Sequence, residues 1–197
     1  LSEGAEPHDV AGLSYLRDGE VRHNRDRDLV HDLDSLPFPD LSLIQGHRRM
    51  KITPILTSRG CPFDCTFCSV TEMFGCKYRL RSTDSVIEEL KQYAPKQVFF
   101  YDDNFAANRT RAKELCEKLA RSGLPAGWSA QARVDVARDE ELLKLMRRSG
   151  CFMLYLGLES INPATLHAFN KRQRVEEIEE CIRKLHKYNI MVHGMFI

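Results

Sequence analysis

From residue 51 onward, the hydrophobic positions follow two alternating periods. Short apolar runs of the kind found in buried strands recur over residues 52–57, 98–101, 128–132, 152–157 and 191–197. Between them, apolar side chains recur at the three- and four-residue spacing of amphipathic helices, over residues 84–93, 110–121, 139–148 and 175–188. Strands that alternate with helices of this length predict a parallel sheet, either doubly wound or barrel-shaped.

The first 50 residues have a different pattern. An Asp18–Gly19 pair separates two short alternating runs and predicts a β-hairpin. The stretch LDSLPFPD at 33–40 contains two prolines, which favour extended backbone. We therefore predict a linker over residues 1–50 and a domain over residues 51–197. The sequence does not begin with Met and ends within the apolar run MVHGMFI, so we expect a piece of a longer protein whose core domain is incomplete at its C-terminal end.

Composition excludes several classes of function. The chain has 197 residues, 43% of them hydrophobic, which is enough for one domain with a sizeable core. Its 29 Lys and Arg nearly balance its 28 Asp and Glu, and no basic block stands out, so we expect no nucleic-acid partner. No apolar run reaches the roughly 18 residues of a membrane helix, and no signal peptide is visible.

The distribution of the seven cysteines argues against a disulfide framework. Three are clustered, and Cys116, Cys151 and Cys181 lie in apolar patterns, where we expect inert core side chains. This distribution is typical of a reducing compartment, and we expect a cytoplasmic protein.

Polar segments follow the first four predicted strands of the domain. They are TSRGCPFDCTFCSV at 57–70, DDNF at 102–105, QARVD at 131–135 and GLES at 157–160. In parallel α/β architectures, ligand sites form at the carboxyl ends of the strands. Four separate segments therefore indicate one candidate site at this edge of the sheet.

The first of these segments carries the most specific signal, because Cys61, Cys65 and Cys68 are spaced C-x3-C-x2-C. Three thiolates on one short loop suit a [4Fe–4S] cluster whose fourth iron stays open to a small molecule. A zinc ion held by three thiolates and a distant histidine is an alternative. A role for Cys76 as a fourth ligand is another.

Several stretches together resemble the radical S-adenosylmethionine (radical SAM) superfamily. The cysteine loop resembles the cluster-binding signature of that superfamily, with an aromatic residue before the last cysteine. The wider set resembles the branch that usually carries an N-terminal cobalamin-binding domain and includes methyltransferases and cyclases. It comprises HDLDSLPFPD, SRGCPFDCTFC, YRLRS, VFFYDDNF, WSAQARVD, LYLGLESIN and HGMFI.

The resemblance implies both a fold and a reaction. The fold is a partial (β/α) TIM-like barrel of the radical SAM type, truncated after about five strands, that follows a cobalamin-binding domain outside this chain. The implied cofactors are a [4Fe–4S] cluster, S-adenosylmethionine and cobalamin. The reduced cluster would cleave S-adenosylmethionine to give a 5′-deoxyadenosyl radical, for methylation or for a C–H rearrangement or cyclisation. The implied partners are a small-molecule substrate and an electron donor such as flavodoxin or ferredoxin.

The resemblance also implies roles for individual residues. Cys61, Cys65 and Cys68 match the cluster ligands. Phe67 matches an aromatic residue near the adenine, and His193 and Gly194 lie on the strand that contacts the adenine. Four further residues match positions that bind the methionine and ribose groups of S-adenosylmethionine in the superfamily. They are Asp102 and Asp103 for the amino group, Arg133 for the carboxylate and Glu159 for the ribose hydroxyls.

Simpler structural readings of these residues remain open. Asp102 and Asp103 also suit a turn and a helix cap, and Glu159 suits a first-turn acid beside a helix dipole. Arg133 is also able to pair with Asp135 or Asp139, and a histidine in an apolar strand, such as His193, is more often a core residue. The stretch KRQRVEE at 171–177 reads as a solvated helix start.

Two alternatives to the whole interpretation also remain open. One is a cobalamin-free radical SAM enzyme that resembles the methylthiotransferases. The other is a non-enzymatic metal-binding or iron–sulfur module.

Overall fold

The structure of the chain, a computed structural model, describes residues 4, 6–95, 97–124 and 127–197, with Arg48 described only by its backbone. The strands are β1 (Ser14–Arg17), β2 (Glu20–His23), β3 (Thr53–Ile55), β4 (Ser58–Arg59), β5 (Arg79–Leu80), β6 (Gln97–Phe100), β7 (Gly127–Ala132), β8 (Cys151–Glu159) and β9 (Met191–Phe196). The helices are α1 (Ser69–Phe74), α2 (Thr83–Tyr93), α3 (Arg109–Ser122), α4 (Glu140–Arg148), α5 (Pro163–Ala168) and α6 (Val175–Lys187).

Internal contacts divide the chain into two compact units, residues 1–31 and residues 32–197. The first unit contains the predicted hairpin, in which β1 and β2 pair in antiparallel register from Ser14–His23 to Arg17–Glu20. Asp18 and Gly19 both have positive φ angles, 52° and 79°, as a two-residue type I′ turn requires. The hairpin prediction is confirmed.

The second unit is built around a parallel sheet with the strand order β3-β6-β7-β8-β9. The neighbours follow chain order without reversal, whereas a doubly wound sheet reverses its order at a switch point. Right-handed crossovers then place the connecting helices on one face, where α3 contacts both α2 and α4. This arrangement is that of a partial (β/α) barrel, and within the described residues the sheet remains open between β3 and β9.

All five predicted strands and all four predicted helices are present, with small shifts at their ends. Asp139 caps α4 as predicted, because its side chain accepts a hydrogen bond from the Leu142 N–H at 3.0 Å. The first predicted helix begins one residue early, at Thr83, and Ser82 caps it. The periodicity did not predict α1, α5 or the two-residue β4–β5 ladder, which are too short to show a period.

The hydrophobic core lies between the sheet and the helices. Its centre is an aromatic group of Phe100, Phe105 and Trp128, whose ring centroids lie 5.1–5.4 Å apart. The Trp128 indole N–H donates to the Ser149 carbonyl at 2.9 Å, so the buried polar atom is satisfied.

Three cysteines also belong to this core. Cys116, Cys151 and Cys181 are all fully buried, as predicted. Burial raises the pKa of all three thiols, to about 12 for Cys116 and Cys181, which keeps them protonated and unreactive.

Across the described part of the chain, none of the helices combines the length and apolarity needed to cross a membrane.

Candidate cluster and cofactor site

A cavity of about 190 Å³ lies where the carboxyl ends of β7 and β8 meet the loop before α1. Seven of the residues that the sequence singled out line it: Cys61, Cys65, Phe67, Cys68, Asp103, Arg133 and Glu159. Gln131, Gly157, Lys171 and Met195 also line it. The volume is below the roughly 300–1,000 Å³ of sites that enclose a drug-sized ligand.

The cysteine loop leaves β4 through a backbone turn that only glycine accommodates. Gly60 has a φ angle of +86°, and a Cβ atom there would lie 2.1 Å from the Lys77 carbonyl oxygen. The Gly60 N–H donates to Asp103 Oδ2 at 3.0 Å. The loop ends at Cys68, which is the N-cap residue of α1 and whose N–H donates to the Cys65 carbonyl at 3.1 Å.

The three loop thiols are the soft metal-ligating groups of the cavity. All three are free and half-buried. Among the described residues, no three His, Cys, Asp or Glu side chains converge closely enough to hold one ion. A cubane cluster needs no such convergence, because each cysteine binds a different iron atom. The donor chemistry of three thiols on one short loop therefore fits a [4Fe–4S] cluster.

Charge at the cavity bears on the state of these thiols. Burial raises the pKa of the Cys61 thiol, and the Arg133 guanidinium opposes that effect. Arg133 Nη1 lies 3.6 Å from Cys65 Sγ, and its guanidinium carbon lies 3.9 Å from the centroid of the Phe63 ring. Metal ligation requires thiolates, so the Arg133 charge favours the form that binds iron.

Arg133 also makes structural contacts, and these coexist with its place in the cavity. Its Nη2 donates to the Lys171 carbonyl, and its Nε lies 3.8 Å from Asp135 Oδ1. The pairing with Asp135 that the sequence left open is therefore present. One edge of the guanidinium is held by the protein while the residue lines the cavity.

The two adjacent aspartates have different surroundings. Asp103 lines the cavity, but Asp102 is fully buried and is not among the lining residues. Asp102 accepts hydrogen bonds from the Thr57 N–H at 2.6 Å, the Thr57 hydroxyl at 2.5 Å and the Ser58 N–H at 3.1 Å. Arg111 Nη1 donates to the same Thr57 hydroxyl at 2.8 Å. Asp102 therefore fixes the backbone that leads into the cysteine loop.

Burial raises the pKa values of both carboxyl groups. The Thr57 hydrogen bonds and the Arg111 charge oppose this rise at Asp102, and the Gly60 N–H opposes it at Asp103. Asp103 is the less buried of the two, so it is the carboxylate that a ligand in the cavity is able to reach.

Glu159 forms a buried ion pair with a residue that sequence reasoning missed. Lys171 Nζ lies 2.5 Å from Glu159 Oε1, and the two side chains are 7% and 10% exposed. Gly157 lies against this pair: a Cβ atom there would be 2.5 Å from Glu159 Oε1 and 2.7 Å from Lys171 Nζ, so any larger residue would clash with the pair. Lys171 Nζ also lies 5.6 Å from the Phe67 ring centroid, a cation–π contact.

This pair corrects two structural readings of the sequence. Glu159 is the last residue of β8, with a φ angle of +62°, and α5 begins only at Pro163 with Asn162 as its cap. The reading of Glu159 as a first-turn acid is therefore wrong. The reading of KRQRVEE as a solvated helix start is also wrong for Lys171 and Gln173, which are 5% and 8% exposed. Lys171 lies 12 positions after Glu159, so no local sequence pattern indicated this contact.

Three further residues lie outside the cavity lining. His193 is exposed and its ring centroid lies 4.9 Å from that of Tyr155, so the reading as a core histidine is wrong. Met195, two residues along the same strand, lines the cavity instead. Gly194 packs against Leu158, and Cys76 is exposed.

Comparisons with known proteins find related sequences. An uncharacterized methyltransferase of Pyrococcus horikoshii is 33% identical over 100% of this chain and 44% of its own length. The anaerobic magnesium-protoporphyrin IX monomethyl ester cyclase of Cereibacter sphaeroides is 33% identical over 95% of this chain and 32% of its own length. The chain thus spans less than half the length of these curated relatives.

A solved structure shares the fold. The cobalamin-dependent S-adenosylmethionine radical enzyme OxsB, with aqua-cobalamin bound, superposes with a TM-score of 0.79 at 22% identity, over 98% of this chain and 30% of that one. Residues 55–197, which include the cavity and the cysteine loop, match the sequence profile of the radical SAM superfamily. The chain therefore belongs to the radical SAM superfamily, whose enzymes use a [4Fe–4S] cluster and S-adenosylmethionine.

Proposed function

We propose that the cavity binds a [4Fe–4S] cluster through Cys61, Cys65 and Cys68, with S-adenosylmethionine beside it. A cluster held there would supply a single electron for cleavage of the sulfonium C5′–S bond, which would give methionine and a 5′-deoxyadenosyl radical. A flavodoxin or ferredoxin supplies that electron in turn. One observation carries this proposal: three thiols meet polar side chains from three other strand ends in one cavity.

The remaining cavity residues suit the polar groups of S-adenosylmethionine. Arg133 presents a guanidinium that matches a carboxylate, and Asp103 presents a carboxylate for the methionine amino group. Glu159 accepts hydrogen bonds from the ribose hydroxyls, and Phe67 packs near the adenine. Asp102 supports this arrangement through Thr57 and Ser58, so we assign it a positioning role.

We further propose that the whole protein is a cobalamin-dependent methyltransferase acting on a small molecule in the cytoplasm. The methyltransferase relative that aligns along the entire chain and the fold shared with a cobalamin-dependent enzyme support this reaction class. We expect a domain outside this chain to hold the cobalamin. The similarity to an ester cyclase favours radical cyclisation as the second candidate.

The decisive experiment uses the full-length protein, reconstituted anaerobically with iron and sulfide, reduced, and mixed with S-adenosylmethionine. Mass spectrometry measures 5′-deoxyadenosine and S-adenosylhomocysteine. Cys65→Ala tests the cluster site, and Cys76→Ala is the matched control because Cys76 is exposed and outside the cavity lining. We expect 5′-deoxyadenosine from the wild type and from Cys76→Ala, and none from Cys65→Ala.

The second product separates the candidate reactions. S-Adenosylhomocysteine that appears only with added cobalamin supports methylation, whereas 5′-deoxyadenosine alone in the presence of substrate supports cyclisation. Products that do not depend on cobalamin support the cobalamin-free alternative. A protein that binds zinc and never assembles a cluster contradicts the proposal and leaves a non-enzymatic metal-binding module.

A further inference from the structure

The cysteine loop has little structure of its own. Between Cys61 and Cys68 it contains no helix or strand, and the bond from the Cys68 N–H to the Cys65 carbonyl joins two of its residues. Three thiolates that bind three different iron atoms must nevertheless keep fixed relative positions. Contacts from elsewhere in the chain therefore set the shape of the loop, and those contacts fall mainly on the residues that flank Cys65.

The segment 168–172, which we call the brace, supplies these contacts from more than 100 residues away. The Thr66 N–H donates to the Phe169 carbonyl at 3.1 Å, and the Thr66 hydroxyl donates to the Ala168 carbonyl at 3.2 Å. On the other side of Cys65, Arg172 Nη2 donates to Asp64 Oδ1 at 2.8 Å and to Oδ2 at 3.1 Å. Both neighbours of Cys65 are thus tied to the brace.

Two more contacts extend the same interface. Asn170 Nδ2 donates to the Asp64 carbonyl oxygen at 3.3 Å. The Phe67 and Phe169 rings lie 5.0 Å apart at an interplanar angle of 59°, a favourable aromatic geometry. The brace therefore contacts residues 64, 66 and 67 in succession around the central cysteine.

The backbone of the brace is held in an unusual conformation that its contacts explain. Asn170 and Arg172 both have left-handed φ angles, 49° and 53°, which are uncommon for residues other than glycine. These residues flank Lys171, whose side chain pairs with Glu159 in the cavity, while the side chains on either side reach Asp64. Strained backbone persists where the surrounding contacts hold it in place.

We propose that Arg172, whose Nη2 contacts both carboxylate oxygens of Asp64, is a positioning residue that holds Cys65 in place for the cluster. The proposal rests on the cluster site proposed above. Arg172 does not itself touch the cavity, because it is not among the lining residues. Its effect passes through the Asp64 backbone to the next residue, Cys65.

This role predicts a separation between fold stability and cluster retention. The pair is exposed, with 59% and 44% of the two side chains accessible, and exposed ion pairs add little to the free energy of unfolding. Outer contacts that orient metal ligands typically change metal affinity 10- to 100-fold. Because this pair is open to water, we expect cluster loss to accelerate by about 3- to 10-fold when it is disrupted.

The test is a charge-reversal cycle in the full-length protein. The variants are Asp64→Arg, Arg172→Asp and the double reversal, with Arg121→Asp as the control, since Arg121 is 70% exposed on α3 and does not line the cavity. After anaerobic reconstitution, cluster loss to an excess of chelator is followed by its visible absorbance. Thermal unfolding of the metal-free proteins is measured in parallel, together with the alkylation rate of Cys65.

We expect each single reversal to accelerate cluster loss and Cys65 alkylation by about 3- to 10-fold, with unfolding midpoints close to wild type. In the double reversal, the rates of cluster loss and of Cys65 alkylation return most of the way to the wild-type values. Arg121→Asp changes neither rate. Single variants that retain the cluster like wild type overturn the proposal, as does a double reversal no better than the worse single variant. A wild type that never assembles a cluster instead overturns the proposed function, and this inference with it.

Discussion

Replacing Lys171 with methionine removes one charge of its buried pair with Glu159 and keeps a side chain of similar length. The Nζ–Oε1 distance is 2.5 Å, and neither side chain is more than 10% exposed. At this distance, an effective dielectric constant of about 20 gives a Coulomb attraction of about 7 kcal/mol. The cost of removing both groups from water offsets much of that attraction in the intact pair.

The single substitution leaves the Glu159 carboxylate buried without its partner. Breaking a buried pair in this way costs about 3–5 kcal/mol, and we expect Lys171→Met to lower the free energy of unfolding by that amount. Adding Glu159→Gln removes the unpaired charge, so the double variant should recover at least about 2 kcal/mol of the loss.

Urea unfolding, followed by the fluorescence of Trp128, the sole tryptophan and a fully buried one, provides the measurement. Lys91→Met is the matched control, because its pair with Glu88 is exposed at 57% and 62%, and it should change stability by no more than about 0.5 kcal/mol. A loss below about 1 kcal/mol for Lys171→Met, or strictly additive effects in the double variant, would refute the reasoning.

Three further predictions follow from the surroundings of the cavity. Gly60→Ala should destabilise the fold by more than about 3 kcal/mol because of the clash with Lys77. Gly75→Ala, with a φ of +63° and a ψ of −172° but open space around it, should cost only about 1–3 kcal/mol. Equal losses in urea unfolding would contradict this. Asp102→Ala should cost about 3–5 kcal/mol by leaving buried donors unpaired, whereas Asp103→Asn should weaken S-adenosylmethionine binding by calorimetry at nearly unchanged stability. Burial raises the pKa of Tyr78 to about 12. The protonated Tyr78 side chain therefore contributes fully to stability below about pH 10, and this contribution is lost as the pH rises through about 12. The difference in the free energy of unfolding between wild type and Tyr78→Phe should shrink by about 2–3 kcal/mol between pH 9 and pH 12, and a constant difference would contradict this prediction.

The sheet, its helices and the edge that carries the site could be predicted from periodicity, because each strand and helix is long enough to repeat its pattern. The cysteine loop was identified from spacing alone. The choice between Asp102 and Asp103 was not accessible in this way. Adjacent residues after a strand point in different directions, and only the packing of Thr57 and Arg111 decides which carboxylate is buried.

The contacts of the brace could not be predicted from the sequence for a different reason. Its contacts join residues such as Asp64 and Arg172 that are 108 positions apart, and no local period records such a pairing. The left-handed angle of Asn170 falls on a residue type that favours it, but that of Arg172 falls on a type that gives little indication of it. Lys171 was misread as solvated because its neighbours in the sequence are charged.

The same separation has a consequence for how the protein matures. Ribosomes add about 5–20 residues per second, so the cysteine loop emerges about 5–20 s before the arginine that clasps it, 108 positions later. During that interval the three thiols lie in a loop that lacks the contact between Asp64 and Arg172, and they are exposed to oxidation and to other metal ions. We therefore expect insertion of the proposed cluster to follow the synthesis of residue 172, because the loop lacks the contact between Asp64 and Arg172 before then.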